Sequence, residues 1–244
     1  MDERFEREVM LMGEDALEVL RRSRVALFGV GGVGSYVAEA LARCGVGYLE
    51  LIDNDVVSRS NINRQLCALE STVGLPKVSV MAARVRDIHP HIQVVERQEF
   101  VLPETIGAFD FGSYDYVIDA IDTVSGKIAI AVAATEKGVP MISCMGTGNK
   151  WDPTAFRVTD LAKTDTCPLA RVMRRELKQR GITHLPVVYS TEVASKPTVT
   201  AVNELGKAVP GSLAFVPSVA GLIAASEAVK TLIAKGRKQG ENNE

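Results

Sequence analysis

The sequence predicts an α/β protein built on a doubly wound, mostly parallel sheet that continues into antiparallel strands, with helices on both faces. Three observations support this prediction. Short apolar runs alternate with helical segments through the first half of the 244 residues, a glycine-rich turn follows the first of these runs, and the rhythm changes after Met145. Strands that alternate with helices build a parallel sheet covered on both faces.

The elements of the first half follow from their periodicity. Apolar side chains recur at roughly helical spacing from Phe5 to Leu20, which predicts one amphipathic N-terminal helix that covers its own core or a partner subunit. Buried strands are predicted at residues 25–29, 48–53, 92–96, 114–120 and 140–145. Helices are predicted at about 33–43, after Pro76 and between the last two strands.

The second half is predicted to hold a strand at 156–161, a basic helix that begins near Pro168, a strand at 186–193 and a final helix at about 217–234. Between Thr191 and Ser212 the chain is polar and has no clear period. A stretch this long inside a compact protein is usually a functional crossover or a disordered segment. Because the rhythm of strands and helices changes after Met145, we divide the chain into residues 1–150 and 151–244, and we expect the two parts to form one continuous domain.

Composition limits the possible functions. The formal net charge of −2 gives no overall attraction to polyanions, so any contact with nucleic acid needs a local basic patch. Four cysteines lie far apart without a Cys-x-x-Cys pair, so we expect reduced thiols in the cytoplasm rather than a zinc site or a disulfide framework. The N-terminus lacks a secretory pattern. The apolar segment 212–234 contains Pro217, Glu227 and Lys230, so a buried helix is expected and not a membrane span.

The glycine turn predicts a Rossmann-like phosphate site. It lies between the first strand and a helix, where free N–H groups and the helix dipole attract phosphate. A dinucleotide-binding turn needs Gly29, Gly31 and Gly34, and this chain adds Gly32. About 20 residues later Asp53 ends the second strand, where a carboxylate can accept hydrogen bonds from a ribose. A nicotinamide cofactor and another nucleotide both fit this much of the pattern.

The next polar cluster favours a triphosphate. Asn61, Arg64 and Gln65 lie close together and Lys77 begins a helix, so two cations can converge on the same phosphates. A triphosphate that loses pyrophosphate needs such cations because negative charge builds up on the leaving group. Asp122 follows the fourth strand and can hold Mg²⁺ through a carboxylate oxygen.

Taken in order and spacing, these motifs resemble the adenylation domain of ubiquitin-activating-enzyme-like proteins, a family that includes the activators of the thiamin and molybdopterin sulfur carriers. The resemblance covers about residues 4–148 and implies a cytoplasmic ATP-dependent enzyme of the ligase type. It assigns the ribose to Asp53, the triphosphate to Asn61, Arg64 and Lys77, and Mg²⁺ to Asp122. Arg7 resembles the arginine that reaches across a homodimer interface into the partner's ATP site. Thr123 stands where many relatives have asparagine.

The second half indicates which branch of the family this is. The segment 163–180 and the following Val188-Tyr189-Ser190 resemble the branch that acts on tRNA, the tRNA threonylcarbamoyladenosine dehydratases. This resemblance implies that ATP adenylylates the threonyl carboxylate of a modified adenosine, after which ring closure expels AMP. The alternative is an enzyme that adenylylates the C-terminal glycine of a ubiquitin-like sulfur-carrier protein, and this alternative implies a sulfur-transfer or ubiquitin-like partner protein.

The basic helix supplies a candidate RNA contact. Arg171, Arg174, Arg175 and Lys178 follow i, i+3, i+4, i+7 spacing, which predicts one helical face with four cations. Such a face can bind RNA phosphates, with an affinity that falls as salt rises. The alternative interpretation is an ordinary solvated helix face.

Two further side chains have both a functional and a structural interpretation. Cys167 precedes the basic helix and could form a thioester, but an intramolecular cyclisation supplies its own nucleophile, so we favour a buried thiol. Asp119 lies near Asp122 at the end of the fourth strand. We interpret it as a structural carboxylate and not as a second metal ligand.

Overall fold

A seven-stranded sheet forms the centre of the protein in the computed structural model, which describes residues 2–202, 206 and 208–241. The strands are β1 (Arg24–Phe28), β2 (Tyr48–Ile52), β3 (Gln93–Arg97), β4 (Tyr116–Asp119), β5 (Met141–Cys144), β6 (Phe156–Asp160) and β7 (Pro186–Ser190). The helices are α1 (Glu6–Met12), α2 (Glu14–Arg22), α3 (Gly34–Arg43), α4 (Lys77–Ile88), α5 (Val124–Glu136), α6 (Pro168–Gln179) and α7 (Phe215–Glu241). A separate two-stranded ribbon joins β8 (Ala201–Val202) to β9 (Ala208–Val209).

The sheet has the order β3-β2-β1-β4-β5-β7-β6, in which only the β6–β7 pair is antiparallel. The chain first builds outward from β1 to β3 and then returns to place β4 on the other side of β1. Val25 of β1 therefore pairs with Leu49 on one side and with Tyr116 on the other. The predicted α/β fold is confirmed, and its strand order reverses between β1 and β4, where open sheets bind ligands.

Each face of the sheet is covered by its own helices. Helices α2, α3, α4 and α7 share one apolar core with the sheet, in which Leu41, Met81 and Ala224 are fully buried. Helices α5 and α6 share the core on the opposite face, where Ile130 and Met173 are fully buried. Burial of each large apolar side chain stabilises the fold by roughly 1.5–3 kcal/mol. The two cores therefore enclose the central strands β1 and β4 from both faces.

The N-terminal helix prediction was wrong in one respect. The structure has two helices instead of one, because Gly13 adopts a positive φ of 85° between α1 and α2. Leu17 and Leu20 of α2 are buried against the core of the protein. Met10 and Leu11 of α1 remain 82% and 91% exposed. The break therefore separates a helix that covers this chain's core from one with exposed apolar side chains.

The last helix is longer than predicted, since it begins at Phe215 and not near Pro217. Pro217 lies in its first turn, where a missing N–H breaks no helical hydrogen bond. By length and composition, residues 215–237 could cross a membrane. However, Ala220, Ala224 and Ala228 are buried against α3 and the sheet. The structure therefore uses this segment as a core helix.

Candidate nucleotide-binding site

A cavity of about 320 Å³ opens where β1, β2 and β4 end and α3 begins. It brings together nine of the residues predicted from sequence: Gly29, Gly31, Gly32, Asp53, Asn61, Arg64, Gln65, Lys77 and Asp122. Their positions span more than 90 residues of sequence. The pairing of β2 with β1 brings Asp53 to the glycine turn, and the return of β4 to the other side of β1 brings Asp122. The cavity lies at the strand-order reversal, which is where the fold favours a nucleotide.

The four glycines of the turn have different roles. Gly29 has a φ of 91°, and a side chain there would place Cβ 2.7 Å from the Ala120 carbonyl carbon. A Cβ on Gly34 would overlap the Gly29 carbonyl oxygen, so this glycine lets the helix pack against the strand. Gly31 and Gly32 both line the cavity, and a Cβ on Gly32 would also lie 3.3 Å from Pro217. The extra glycine therefore makes room for α7 as well as for a ligand.

Asp53 is held in place by the backbone. Its two carboxylate oxygens accept hydrogen bonds from the backbone N–H of Val30 at 2.7 Å and of Asp55 at 2.9 Å. Burial raises the pKa of the Asp53 carboxyl, although Lys77 and the two N–H donors act in the opposite direction. A fixed acceptor at the end of β2 suits a ribose hydroxyl.

Lys77 is the buried cation of the cavity. Its side chain is 6% exposed, and its Nζ donates to Asp55 Oδ2 at 2.6 Å. Asp55 was not predicted as a site residue, although its place two positions after Asp53 at the same strand end could have indicated it. Both partners line the cavity, so the ion pair is part of its wall.

Arg64 and its neighbours form the other polar wall. The Arg64 guanidinium donates to the Ser60 carbonyl at 3.0 Å and to Asn63 Oδ1 at 2.9 Å, and burial lowers its pKa. Asn61 caps its own short helical turn, because its side-chain oxygen accepts from the Ser58 N–H at 3.1 Å. Two cations from separate elements, Arg64 and Lys77, thus face one cavity. That arrangement can neutralise several phosphate charges.

One wall of the cavity was not predicted from the sequence, and it lies after β3. Glu99, Phe100 and Val101 line the cavity there, together with Ile52 at the end of β2. The apolar members of this set suit the flat face of a nucleobase. No motif marked them, because their role depends on β3 lying next to β2.

Asp122 is the carboxylate available to a metal ion. It is exposed and lines the cavity, whereas the nearby Asp119 is fully buried. Asp119 pairs with Lys127 at 3.0 Å and accepts from Ser143 Oγ at 2.6 Å, which confirms its structural interpretation. The described part of the chain contains no group of three metal-ligating side chains. One carboxylate beside phosphate oxygens nevertheless suits Mg²⁺, which keeps several waters.

Comparison with known proteins identifies the family. The ThiF family profile matches residues 5–243. The chain belongs to the ThiF family. A tRNA threonylcarbamoyladenosine dehydratase of Bacillus subtilis (strain 168) is 45% identical over 240 residues, which are 94% of each chain.

A solved structure agrees with this family membership, and a further sequence relative matches a shorter part of the chain. The crystal structure of Escherichia coli tRNA N6-threonylcarbamoyladenosine dehydratase in complex with ATP is 38% identical, with a TM-score of 0.88 over 97% of this chain and 96% of that chain. A molybdopterin-synthase adenylyltransferase of E. coli (strain K12) is 32% identical over 64% of each chain. These two dehydratases therefore match this ThiF-family chain over almost its whole length, whereas the adenylyltransferase matches about two thirds of it.

The basic helix of this ThiF-family protein differs from its prediction at one position. Arg174 points inward, where its guanidinium donates to the Leu161 carbonyl at 3.0 Å and to the carbonyl and hydroxyl oxygens of Thr164. The four-cation face was therefore wrong for Arg174, because this side chain ties α6 to the turn after β6. Arg171 and Lys178 are exposed, and Arg175 pairs with Glu176 at 2.9 Å.

Two predicted residues lie away from the cavity. Arg7 is exposed on α1 and is not among the described residues that line the cavity of its own chain. Cys167 is 3% exposed and packs in the apolar core beneath α5 and α6, as the buried interpretation expected. A thioester at Cys167 would need that core to open.

Proposed function

We propose that this ThiF-family protein uses ATP to adenylylate the carboxylate of N6-threonylcarbamoyladenosine in tRNA and then closes a ring. A substrate carboxylate oxygen attacks the α-phosphorus and pyrophosphate leaves. An atom of the same modified side chain then attacks the activated carbonyl and AMP leaves, so the nucleoside loses the elements of one water. The observation that carries this proposal is the placement of two cations and a free carboxylate around one glycine turn.

Different residues of the cavity bind the phosphates and stabilise the leaving pyrophosphate. The backbone N–H groups at the start of α3 and its dipole hold phosphate. Lys77 and Arg64 draw negative charge from the departing pyrophosphate, which lowers the barrier only if they are already in place. Their fixed partners, Asp55 for Lys77 and the Ser60 carbonyl for Arg64, provide this preorganisation. Most of the rate enhancement then comes from position and charge.

Asp122 would hold Mg²⁺ in this scheme. When bound, Mg²⁺ supplies additional positive charge to the phosphate oxygens. The proposal is supported by the chemistry of the donor, since Asp122 is an exposed carboxylate at the cavity and Asp119 is already engaged with Lys127. Asp53 is proposed to accept from the ribose.

We also propose a cytoplasmic homodimer in which Arg7 completes the partner's site. Arg7 lies on the same short helix as the exposed apolar side chains Met10 and Leu11. An apolar surface of this kind is unfavourable in water and is typical of an interface. If α1 is buried in a dimer interface, Arg7 faces the partner subunit instead of its own chain. Arg171 and Lys178 are the proposed contacts to tRNA phosphates.

The test is a direct reaction. The protein is incubated with ATP, Mg²⁺ and tRNA that carries N6-threonylcarbamoyladenosine, and the digested nucleosides are analysed by mass spectrometry. We expect a nucleoside lighter by one water, together with equal amounts of AMP and pyrophosphate, and loss of all three in Asp122→Ala. Pyrophosphate exchange that depends on a carrier protein ending in Gly-Gly, with no dehydrated nucleoside, would replace this proposal with carrier-protein activation.

A further inference from the structure

A second cleft lies beside the nucleotide cavity. It has a volume of about 340 Å³ and runs between residues 149–151, which follow β5, and residues 195–199. The latter belong to the polar segment 191–212, which we call the crossover segment. Ser212 lines both this cleft and the nucleotide cavity. Asn63 Nδ2 donates to the Ser212 carbonyl at 2.9 Å, so the junction between the two is held beside Arg64. A substrate in the cleft is therefore next to the phosphate end of the cavity.

The cleft is built around Asn149. This residue has a φ of 57° and is the only non-glycine residue with a positive φ in the described part of the chain. Its backbone N–H donates to the Gly211 carbonyl at 2.7 Å, and its side-chain oxygen accepts from the Gly211 N–H at 2.7 Å. Its carbonyl accepts from the Ser195 N–H at 2.8 Å. Asn149 thus binds both ends of the crossover segment and maintains its own strained conformation.

Trp151 presents its indole ring at this cleft. It is the one tryptophan of the 244-residue sequence, and 66% of it is exposed. Its backbone N–H donates to the Glu192 carboxylate at 2.9 Å, and the Asp152 N–H donates to the same carboxylate at 3.0 Å. Lys150 is buried, and its Nζ donates to the Glu192 carbonyl. The backbone that carries the indole is therefore held in place, while most of the indole ring remains exposed and accessible to a ligand.

We propose that Trp151 is the stacking platform for the adenine base of the substrate nucleotide; this inference rests on the proposed function. Proteins recognise unpaired RNA bases by stacking them on aromatic rings. The carboxylate-bearing arm of that base then extends past Ser212 toward the glycine turn. Lys196, exposed at the same cleft, is placed for a flanking phosphate. An extended protein C-terminus would need strand-like backbone partners and gives no role to an exposed indole.

The test uses the intrinsic fluorescence of Trp151, which reports on this ring alone. The protein is titrated with an anticodon stem-loop RNA that carries N6-threonylcarbamoyladenosine, and with the same RNA made abasic at that position. Binding of both RNAs is followed independently by anisotropy of an end label. We expect saturable quenching with the modified RNA and none at full occupancy with the abasic RNA. Quenching of equal size by both RNAs would overturn the proposal.

Kinetics of variants complete the test. We expect Trp151→Ala to raise the KM for the RNA roughly 10-fold or more, with Trp151→Phe in between and the Kd for ATP unchanged. Val158→Ala, which removes another exposed apolar side chain on β6, should match the wild type. A wild-type protein that dehydrates the RNA while Trp151→Ala keeps the same KM refutes the stacking role alone. A wild-type protein that never dehydrates the RNA refutes the proposed function.

Discussion

Lys77→Met separates the catalytic use of the buried cation from its structural use. Its ion-pair partner Asp55 is 57% exposed, so water can solvate the carboxylate once the ammonium is gone. Because the remaining Asp55 carboxylate is solvated, as in an exposed ion pair, we expect a loss of about 1 kcal/mol in the free energy of unfolding, which corresponds to a change in Tm of about 2–4 °C for a chain of this size. Loss of a preorganised donor to a developing negative charge raises the barrier by about 3–4 kcal/mol, or roughly 10²–10³-fold in kcat.

The assay measures pyrophosphate release in single turnover alongside thermal unfolding. Asp55→Asn is the matched control, because it removes the negative charge while its amide oxygen can still accept the hydrogen bond that holds the Lys77 ammonium at the cavity. We expect Asp55→Asn to keep its rate within about 10-fold of the wild type, whereas Lys77→Met loses far more at nearly unchanged Tm. Equal losses of rate in the two variants would refute the reasoning, because Lys77 would then serve only as the partner of Asp55.

Three further predictions concern the sheet, the basic helix and pH. Lys127→Met should lower the free energy of unfolding by about 3–5 kcal/mol because it leaves the Asp119 carboxylate buried without its cation; adding Asp119→Asn should recover part of this loss in urea unfolding, and no recovery would contradict the buried-charge explanation. The double variant Arg171→Ala and Lys178→Ala should weaken tRNA binding and flatten its salt dependence, with the Kd for ATP unchanged; an unaltered salt slope would remove α6 from the RNA site. Burial raises the pKa of the Cys144 thiol to about 12. Because the unfolded thiol ionises near 8.5, its contribution to stability is complete below that pH and declines between pH 9 and 12, by about 1.4 kcal/mol per pH unit. Cys144→Ala should show a smaller decline in urea unfolding from pH 8 to pH 10, and an identical decline would show that the thiol is not responsible.

Much of the nucleotide site follows from local patterns. The glycine turn at Gly29 could be predicted because a tight turn before a helix needs residues without a Cβ. Asp53 could be predicted because a strand end places its carboxylate at the edge of the sheet. The ion pair of Asp55 with Lys77 could not be predicted from the sequence. The two are 22 positions apart, and neither periodicity nor turn chemistry links them.

Periodicity also misled in two places. Helical spacing put Arg174 on a common face with Arg171, but a long side chain can turn back along its helix, and the carbonyl groups after β6 accept its hydrogen bonds. The apolar spacing from Phe5 to Leu20 was helical throughout, yet the positive φ at Gly13 divides it. Spacing reports which face a Cα occupies and not where the end of a flexible side chain goes.

For this protein, the linear order of residues was enough to predict the parallel sheet and the phosphate-binding turn, because each depends on periods and steric limits within a few residues. The class of chemistry followed from the resemblance of the polar motifs to those of a known family. Only folding in three dimensions decided that Pro217 of α7 fills the space beside Gly32, that Asn149 joins the two ends of the crossover segment, and that Trp151 stands next to the nucleotide cavity. Those contacts join residues far apart in the chain. Their geometry is set by how the helices and loops pack on the sheet, which no local pattern records.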